Sequence, residues 1–466
     1  MIRSAGKRAL GTVARRLVPA REDLPLATWS LERDASGGLS RAGVSLGALL
    51  DRWGSPLHVV DRARLVANAA AFVATPEGAA RGCEAFYSYK TNPVPGILRV
   101  LHAQGVGAEV ASAYELWLAL RLGVPPAAIV FDGPARTEEA TELALRRGVG
   151  LLNLNARADI APTAALARRL GVRARVGVRV VIPGFEGGPL GERIDTGAAL
   201  AAFREALACP ELEVVGLHSH ANGRIDSLPP IDALLSGLLA FGDELRGRLG
   251  LELGVLDVGG NLACPTVPLI SPRARRLALT CDCEPPAPQV GVTLSIGAYV
   301  SRVVGRVERH YAAVGRTAPR IFVEPGRAVS SDAQMLLCRV ESIRDAEADG
   351  IRWAVLDVGI NAAEAVRNEF HQLLPLASRR GAPSRLYRLS GPSCSLGDLL
   401  YPAWRLPELA PGDGLAIMDS GAYFVPYSTC FSRPRSGIVM LDRGRTEAIR
   451  RQETFDDLVV RDEAAS

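Results

Sequence analysis

Between about Pro56 and Val329, short aliphatic or β-branched runs alternate with Ala-, Leu- and Arg-rich stretches of helical period. This is the rhythm of repeated βα units. The predicted strands are Leu57–Val60, Glu84–Lys90, Ala108–Val110, Ala128–Phe131, Leu151–Asn153, Arg175–Ile182, Val214–Ser219, Gly254–Val258 and Arg320–Glu324, with helices such as Ala113–Leu122 and Ile231–Leu249 between them. Eight or nine strands with intervening helices fit a (β/α)8 barrel better than an open sheet, because the polar residues gather at the C-terminal ends of strands, where barrels carry their function. After Val329 the pattern changes to shorter apolar runs separated by Gly, Pro and Asp: Leu336–Val340, Trp353–Val358, Leu386–Leu389, Gly414–Met418 and Gly437–Leu441. That texture predicts a mostly antiparallel β domain.

The fold class read from this pattern is α/β, a barrel plus a mostly antiparallel C-terminal β domain. Its expected divisions are a basic, disordered leader over 1–23, a segment over 24–55 that joins the β domain, the barrel over 56–329 and the β domain over 330–466. Two stretches, Pro183–Gly191 and Pro265–Pro288, read as loop insertions over the barrel mouth.

Composition narrows the function classes. A chain of 466 residues, 48% hydrophobic and 22% charged, buries a large core and is not disordered as a whole. A formal net charge of +4, with basic residues scattered among acids, leaves no nucleic-acid footprint, so a small-molecule substrate is the expectation. No apolar run approaches the roughly 20 residues of a membrane span. The eight cysteines form no dense framework and read as reduced thiols in a cytoplasm. The basic start, Met1–Arg21, lacks a signal-peptide apolar core and reads as a frayed leader or short surface helix.

Candidate chemistry lies at strand ends. Tyr87-Ser88-Tyr89-Lys90-Thr91-Asn92-Pro93 carries one lysine at the end of an aromatic strand, where alternation directs Phe86, Ser88 and Lys90 to one side. Burial lowers an amine's proton affinity and makes it nucleophilic, as a Schiff base with an aldehyde cofactor requires. Phe322-Val323-Glu324-Pro325-Gly326-Arg327 ends a strand in a carboxylate that can hold a pyridinium N–H. His218-Ser219-His220 supplies imidazole at another strand end, and Asp257-Val258-Gly259-Gly260-Asn261 supplies a glycine turn whose N–H groups can approach a phosphate. In the β domain, Gly391-Pro392-Ser393-Cys394-Ser395-Leu396-Gly397-Asp398 holds a cysteine able to deliver a proton, and Ser420-Gly421-Ala422-Tyr423 a tyrosine able to bond phosphate.

Taken in order, these blocks resemble the fold-type III pyridoxal-phosphate decarboxylases, the family of diaminopimelate, ornithine and arginine decarboxylases with an alanine-racemase-like barrel. The match runs over roughly Leu49 to Asp462, including Arg450-Arg451-Gln452-Glu453-Thr454-Phe455-Asp456-Asp457. The resemblance implies that pyridoxal 5′-phosphate is carried on Lys90, His220 stacks on its ring, Glu324 pairs with the pyridine nitrogen, and Gly259, Gly260, Gly326 and Tyr423 surround the phosphate. It puts Glu109, Arg179 and Arg327 beside the cofactor, Arg327 touching substrate as well, and calls for no metal. It also implies a head-to-tail homodimer in which Cys394 and Asp398 come from the partner subunit, with Cys394 the proton donor and an isolated monomer inactive.

Departures from the family pattern bear on the substrate. The family commonly has an acidic residue directly after the loop cysteine, where this chain has Ser395, and a buried ammonium without a carboxylate is costly. The family's Arg-and-Tyr substrate pair corresponds here to Arg367 and His371. Asn222 and Asn261 replace small residues in the phosphate loops, where Asn tolerates left-handed backbone. The expectation is therefore a specialised decarboxylase for a modified, conjugated or carrier-linked amino acid. The alternatives are a diaminopimelate decarboxylase of lysine biosynthesis, a racemase-type enzyme on the same barrel, and a catalytically silent homologue that binds a partner protein.

Overall fold

The computed structural model describes residues 23–186, 188–284, 293–345, 350–378, 383–395 and 397–462. The leader expected over 1–23 lies outside them except for its last residue, as does Leu396 in the cysteine loop. The described residues form two compact units, one within 65–263 and 293–329, the other within 23–64, 264–284 and 330–462.

The first unit is a closed parallel barrel. Its strands run Glu84–Ser88, Gly107–Val110, Ile129–Phe131, Leu151–Leu154, Ala174–Val181, Leu212–His218, Val255–Asp257 and Arg320–Val323, and the last pairs with the first. Helices between strands are set by local signals. Ser112 caps Ala113–Arg121 by accepting the Glu115 N–H, and Thr137 caps Glu138–Arg147, which stops at Gly148 in the left-handed region. The barrel interior is filled by Phe86, Val130, Leu151, Val255 and Phe322, with the Phe86 and Phe322 ring centroids 4.5 Å apart. Polar side chains follow these residues toward the C-terminal strand ends, as packing in a barrel requires.

The second unit centres on a sheet ordered Leu399–Pro407, Ser384–Ser390, Arg352–Leu356, Gln334–Arg344, Leu57–Asp61, Gly437–Asp442, Arg445–Arg450. Most pairings are antiparallel. Arg352–Leu356 with Ser384–Ser390, and Leu57–Asp61 with Gly437–Asp442, are parallel. The segment 24–55 belongs to this unit, with a small three-stranded sheet, Leu31–Arg33, Leu39–Arg41 and Val44–Ser45.

Two stretches read from sequence as barrel belong to this second unit. Leu57–Asp61 is an interior strand of its sheet, buried at all five positions between Gln334–Arg344 and Gly437–Asp442. An apolar run covered on both faces looks the same in either setting. The described part of Pro265–Pro288 is not all loop. It carries the helix Pro272–Cys281, capped by Ser271, and pairs Asp282 with Arg388 of the sheet at 3.0 Å. No helix among the described residues is long and apolar enough to cross a membrane.

Candidate active site

The strand Glu84–Ser88 ends two residues before Lys90, which sits in a 3-10 turn over Tyr89–Thr91. Strand alternation therefore stops short of it, and the turn aims the amine. Its Nζ lies 2.9 Å from Glu109 Oε2, pairing an accessible ammonium with a carboxylate only 1% exposed. The sequence holds two lysines, Lys7 and Lys90, so among the described residues Lys90 is the one primary side-chain amine.

Glu324, 2% exposed, follows the strand Arg320–Val323. His220 Nδ1 lies 3.5 Å from Glu324 Oε2 and accepts the Gly260 N–H at 3.2 Å, which leaves the other ring nitrogen to carry the imidazole proton. Burial first, then the Lys90 and Arg179 charges, hold His220 well below the ordinary histidine range, so it is a neutral ring. Burial pushes Glu324 well above the ordinary carboxylate range, and Asp257, Asp132 and Glu109 add to the effect.

The backbone beside these groups is open where a side chain would close it. Gly259 has φ +68°, and a Cβ there would meet His220 Nδ1 at 2.8 Å. At Gly260 a Cβ would meet the Glu324 carbonyl oxygen at 2.3 Å, and at Gly326 the Thr91 hydroxyl at 2.1 Å. Only glycine fits these three positions. Asn261 adopts φ +73°, the left-handed backbone expected of it, whereas Asn222 has no positive φ and donates to the Glu186 carbonyl at 2.6 Å. Arg179 donates to Asn155 Oδ1 at 3.3 Å, and Arg327 opens the short helix Arg327–Ser330. A nucleophilic amine, a flat neutral imidazole, a buried carboxylate and a glycine cradle together fit an aldehyde cofactor with an aromatic nitrogen and a phosphate. The buried Glu324 oxygens and the Ser88 and Thr91 hydroxyls have no protein hydrogen-bond partner, as a site built for a polar guest would leave them.

Four polar residues of this barrel have no assigned role in the sequence reading. Asp132, Asn153, His218 and Asp257 are each at most 5% exposed. Their signal is a polar residue in, at or just beyond the last positions of an otherwise apolar strand.

The remaining predicted residues lie in the second unit. Cys394 is an exposed free thiol. Ser395 is exposed and its hydroxyl accepts the Gly397 N–H at 3.2 Å. Asp398 is 3% exposed, and its two oxygens accept the Ile360 and Ser393 N–H groups at 2.8 and 2.9 Å. It clamps the cysteine loop. Arg367 bonds Glu364 at 3.2 Å, and His371 donates from Nδ1 to the Met418 carbonyl at 2.9 Å. Arg367 and His371 line one 220 Å³ cavity with Arg275, Phe370 and Trp404. Tyr423 has φ +68° and Asp419 φ +61°, strained for side-chain-bearing residues, where the chain passes Gly421 so close to the Ser330 carbonyl that a Cβ would lie at 1.7 Å.

Comparison with known proteins shows the family. The family model described as "Pyridoxal-dependent decarboxylase, pyridoxal binding domain" matches residues 70–331. A diaminopimelate decarboxylase of Methanothermobacter thermautotrophicus is 28% identical over 445 residues, covering 92% of this chain and 96% of that protein. One from Pseudomonas aeruginosa is 31% identical over 441 residues, covering 91% and 96%. The solved diaminopimelate decarboxylase of M. jannaschii, in co-complex with L-lysine, superimposes with a TM-score of 0.81 over 93% of this chain and 98% of that one, at 23% identity.

Proposed function

The chain belongs to the pyridoxal-dependent decarboxylases, and from that premise we propose that it removes the α-carboxylate of an amino acid, with diaminopimelate the substrate to expect. The observation that carries this reading is Lys90, the one described lysine, held against buried Glu109 in the barrel that also presents Glu324 and the glycine cradle. Relatives covering nearly the whole chain are named for diaminopimelate, which favours that substrate over a specialised one.

Pyridoxal phosphate, when bound, supplies an aldehyde for amines and a ring that accepts the electron pair released by departing carbon dioxide. The chain's residues do the rest. Lys90 would provide the amine that anchors the cofactor and gives way to the substrate amine, with Glu109 orienting it. Glu324 would hold a proton at the ring nitrogen, and neutral His220 would stack on the ring without competing for that proton. Gly259, Gly260 and Gly326 would let N–H groups reach the phosphate, with Tyr423 as a further partner, and Arg179 would stand beside the cofactor. Arg327, Arg367 and His371 receive substrate polar groups, and Cys394 returns a proton to the carbon that lost its carboxylate. Cys394, with the loop that Asp398 clamps, acts in the neighbouring subunit of a homodimer.

A second reading, a modified or carrier-linked amino acid, draws on Ser395, which leaves a distal ammonium without a carboxylate at that position. Purified protein supplied with pyridoxal phosphate and meso-diaminopimelate should release carbon dioxide and form lysine. Release from another amino acid or conjugate, with none from diaminopimelate, would replace the first reading by the second.

A further inference from the structure

The proposed function uses Glu324 as a lone partner for the ring nitrogen, yet Glu324 is one of three acids crowded into the barrel centre. Asp132 follows the strand Ile129–Phe131, and Asp257 ends the strand Val255–Asp257; they are 5% and 0% exposed. Between them stands His218, itself 0% exposed, with Nδ1 3.6 Å from Asp132 Oδ1 and Nε2 3.8 Å from Glu324 Oε1. Asp257 is the register neighbour of His218 across the parallel pair. It accepts the Asn153 side-chain N–H at 3.3 Å and the Gly259 N–H at 3.0 Å, which fix its orientation. Both aspartates add their charge to the burial that raises the Glu324 proton affinity.

Burying an acid is expensive, and one carboxylate suffices to accept a hydrogen bond from a ring nitrogen. Three acids around one imidazole carry more negative charge than they can hold without taking up a proton. In a chamber of low dielectric that surplus acts strongly on any titrating nitrogen nearby.

We propose that Asp132 and Asp257 are positioning residues that form, with Glu324, a single anionic well holding the proton on the cofactor's ring nitrogen. The inference rests on the reading of Glu324 given above and extends it from one residue to three. Other charged or titrating groups face the same chamber. Lys90 and Arg179 oppose the well from the strand ends, Glu109 reinforces it, His218 and His220 stand within it, and Tyr299 of the helix Ile296–Ala313 abuts it as a neutral phenol that burial keeps protonated. The acids' own balance fits: Glu324 and Asp257 are pushed upward, chiefly by burial, and Asp132 is held low despite its burial by His218, Arg179 and Lys90.

The test is the holoenzyme loaded with pyridoxal phosphate labelled with ¹⁵N in the ring, its nitrogen signal followed against pH. Asp132→Asn and Asp257→Asn should each lower the midpoint for loss of the ring proton by about one pH unit or more, reduce kcat more than KM is changed, and recover with Asp132→Glu or Asp257→Glu. A purely structural role would weaken folding or cofactor retention and leave the midpoint where it is. If both Asn variants fold, retain cofactor and keep the wild-type midpoint, the three-acid well is wrong; should one fail to fold, the other decides alone. Glu324→Gln separates the two readings. A midpoint that moves with Glu324→Gln and with neither aspartate variant overturns this inference alone, and one that ignores Glu324→Gln overturns the role of Glu324 as well.

Discussion

The barrel centre and the cysteine loop of the second unit are both rich in polar residues, and they differ in what holds those residues in place. In the barrel, parallel strands put Asp132, His218, Asp257 and Glu324 at strand ends, where the fold aims them inward, packs them against one another and leaves several oxygens unbonded. In the loop, Asp398 spends both oxygens on backbone N–H groups, and Ser395 and Cys394 remain exposed. Rigid strands let a protein store unsatisfied, charged chemistry; a loop first has to satisfy its own backbone.

That contrast can be broken by substitution. The largest effect belongs to the barrel: Lys90→Ala should abolish covalent cofactor attachment and lower turnover on the order of 10³-fold or more, read from cofactor absorbance and carbon dioxide release. Cys394→Ala should lower kcat by about 10²-fold while cofactor content stays at the wild-type level. Loss of cofactor in that variant would mean that the loop is structural only. Asp398→Ala leaves two N–H groups unpaired and should destabilise the second unit by about 2–4 kcal/mol, seen as a lower urea midpoint.

A smaller effect separates the two units by pH. Burial pushes Asp419 up to about 7, although Trp29 donates to its Oδ1 at 2.7 Å. Its folded state therefore keeps a proton that the unfolded chain has already released. Stability falls as pH rises from about 4, where an unfolded aspartate ionises, to about 7, and levels off above. Asp419→Asn should flatten that slope in urea titrations taken across the window. The smallest expected effect is Ser395→Ala, within about threefold in KM, since its hydroxyl serves a loop N–H.

How much could be read from the amino acids follows the same division. Lys90, His220, Glu324 and the glycines were legible because a strand-to-turn junction limits what a residue can do there. Leu57–Asp61 was assigned to the barrel because burial on both faces looks alike in a parallel barrel and an interior strand of a mixed sheet, and its neighbours come from distant sequence. Asp132 and Asp257 were passed over because a single acid after a strand resembles an ordinary cap; only the closed barrel reveals that they converge. Asp398 reads as an acid in a chemically suggestive loop, and its bonds to the Ile360 and Ser393 N–H groups, the first 38 residues away, could not be read from the sequence.

The central claim is that the barrel lysine carries the cofactor, and the scarcity of lysine makes it directly measurable. Holoenzyme reduced with borohydride and digested should yield the pyridoxyl mass on the peptide containing Lys90 and leave the Lys7 peptide unmodified. A label on Lys7, or none on either peptide while decarboxylation proceeds, would contradict it.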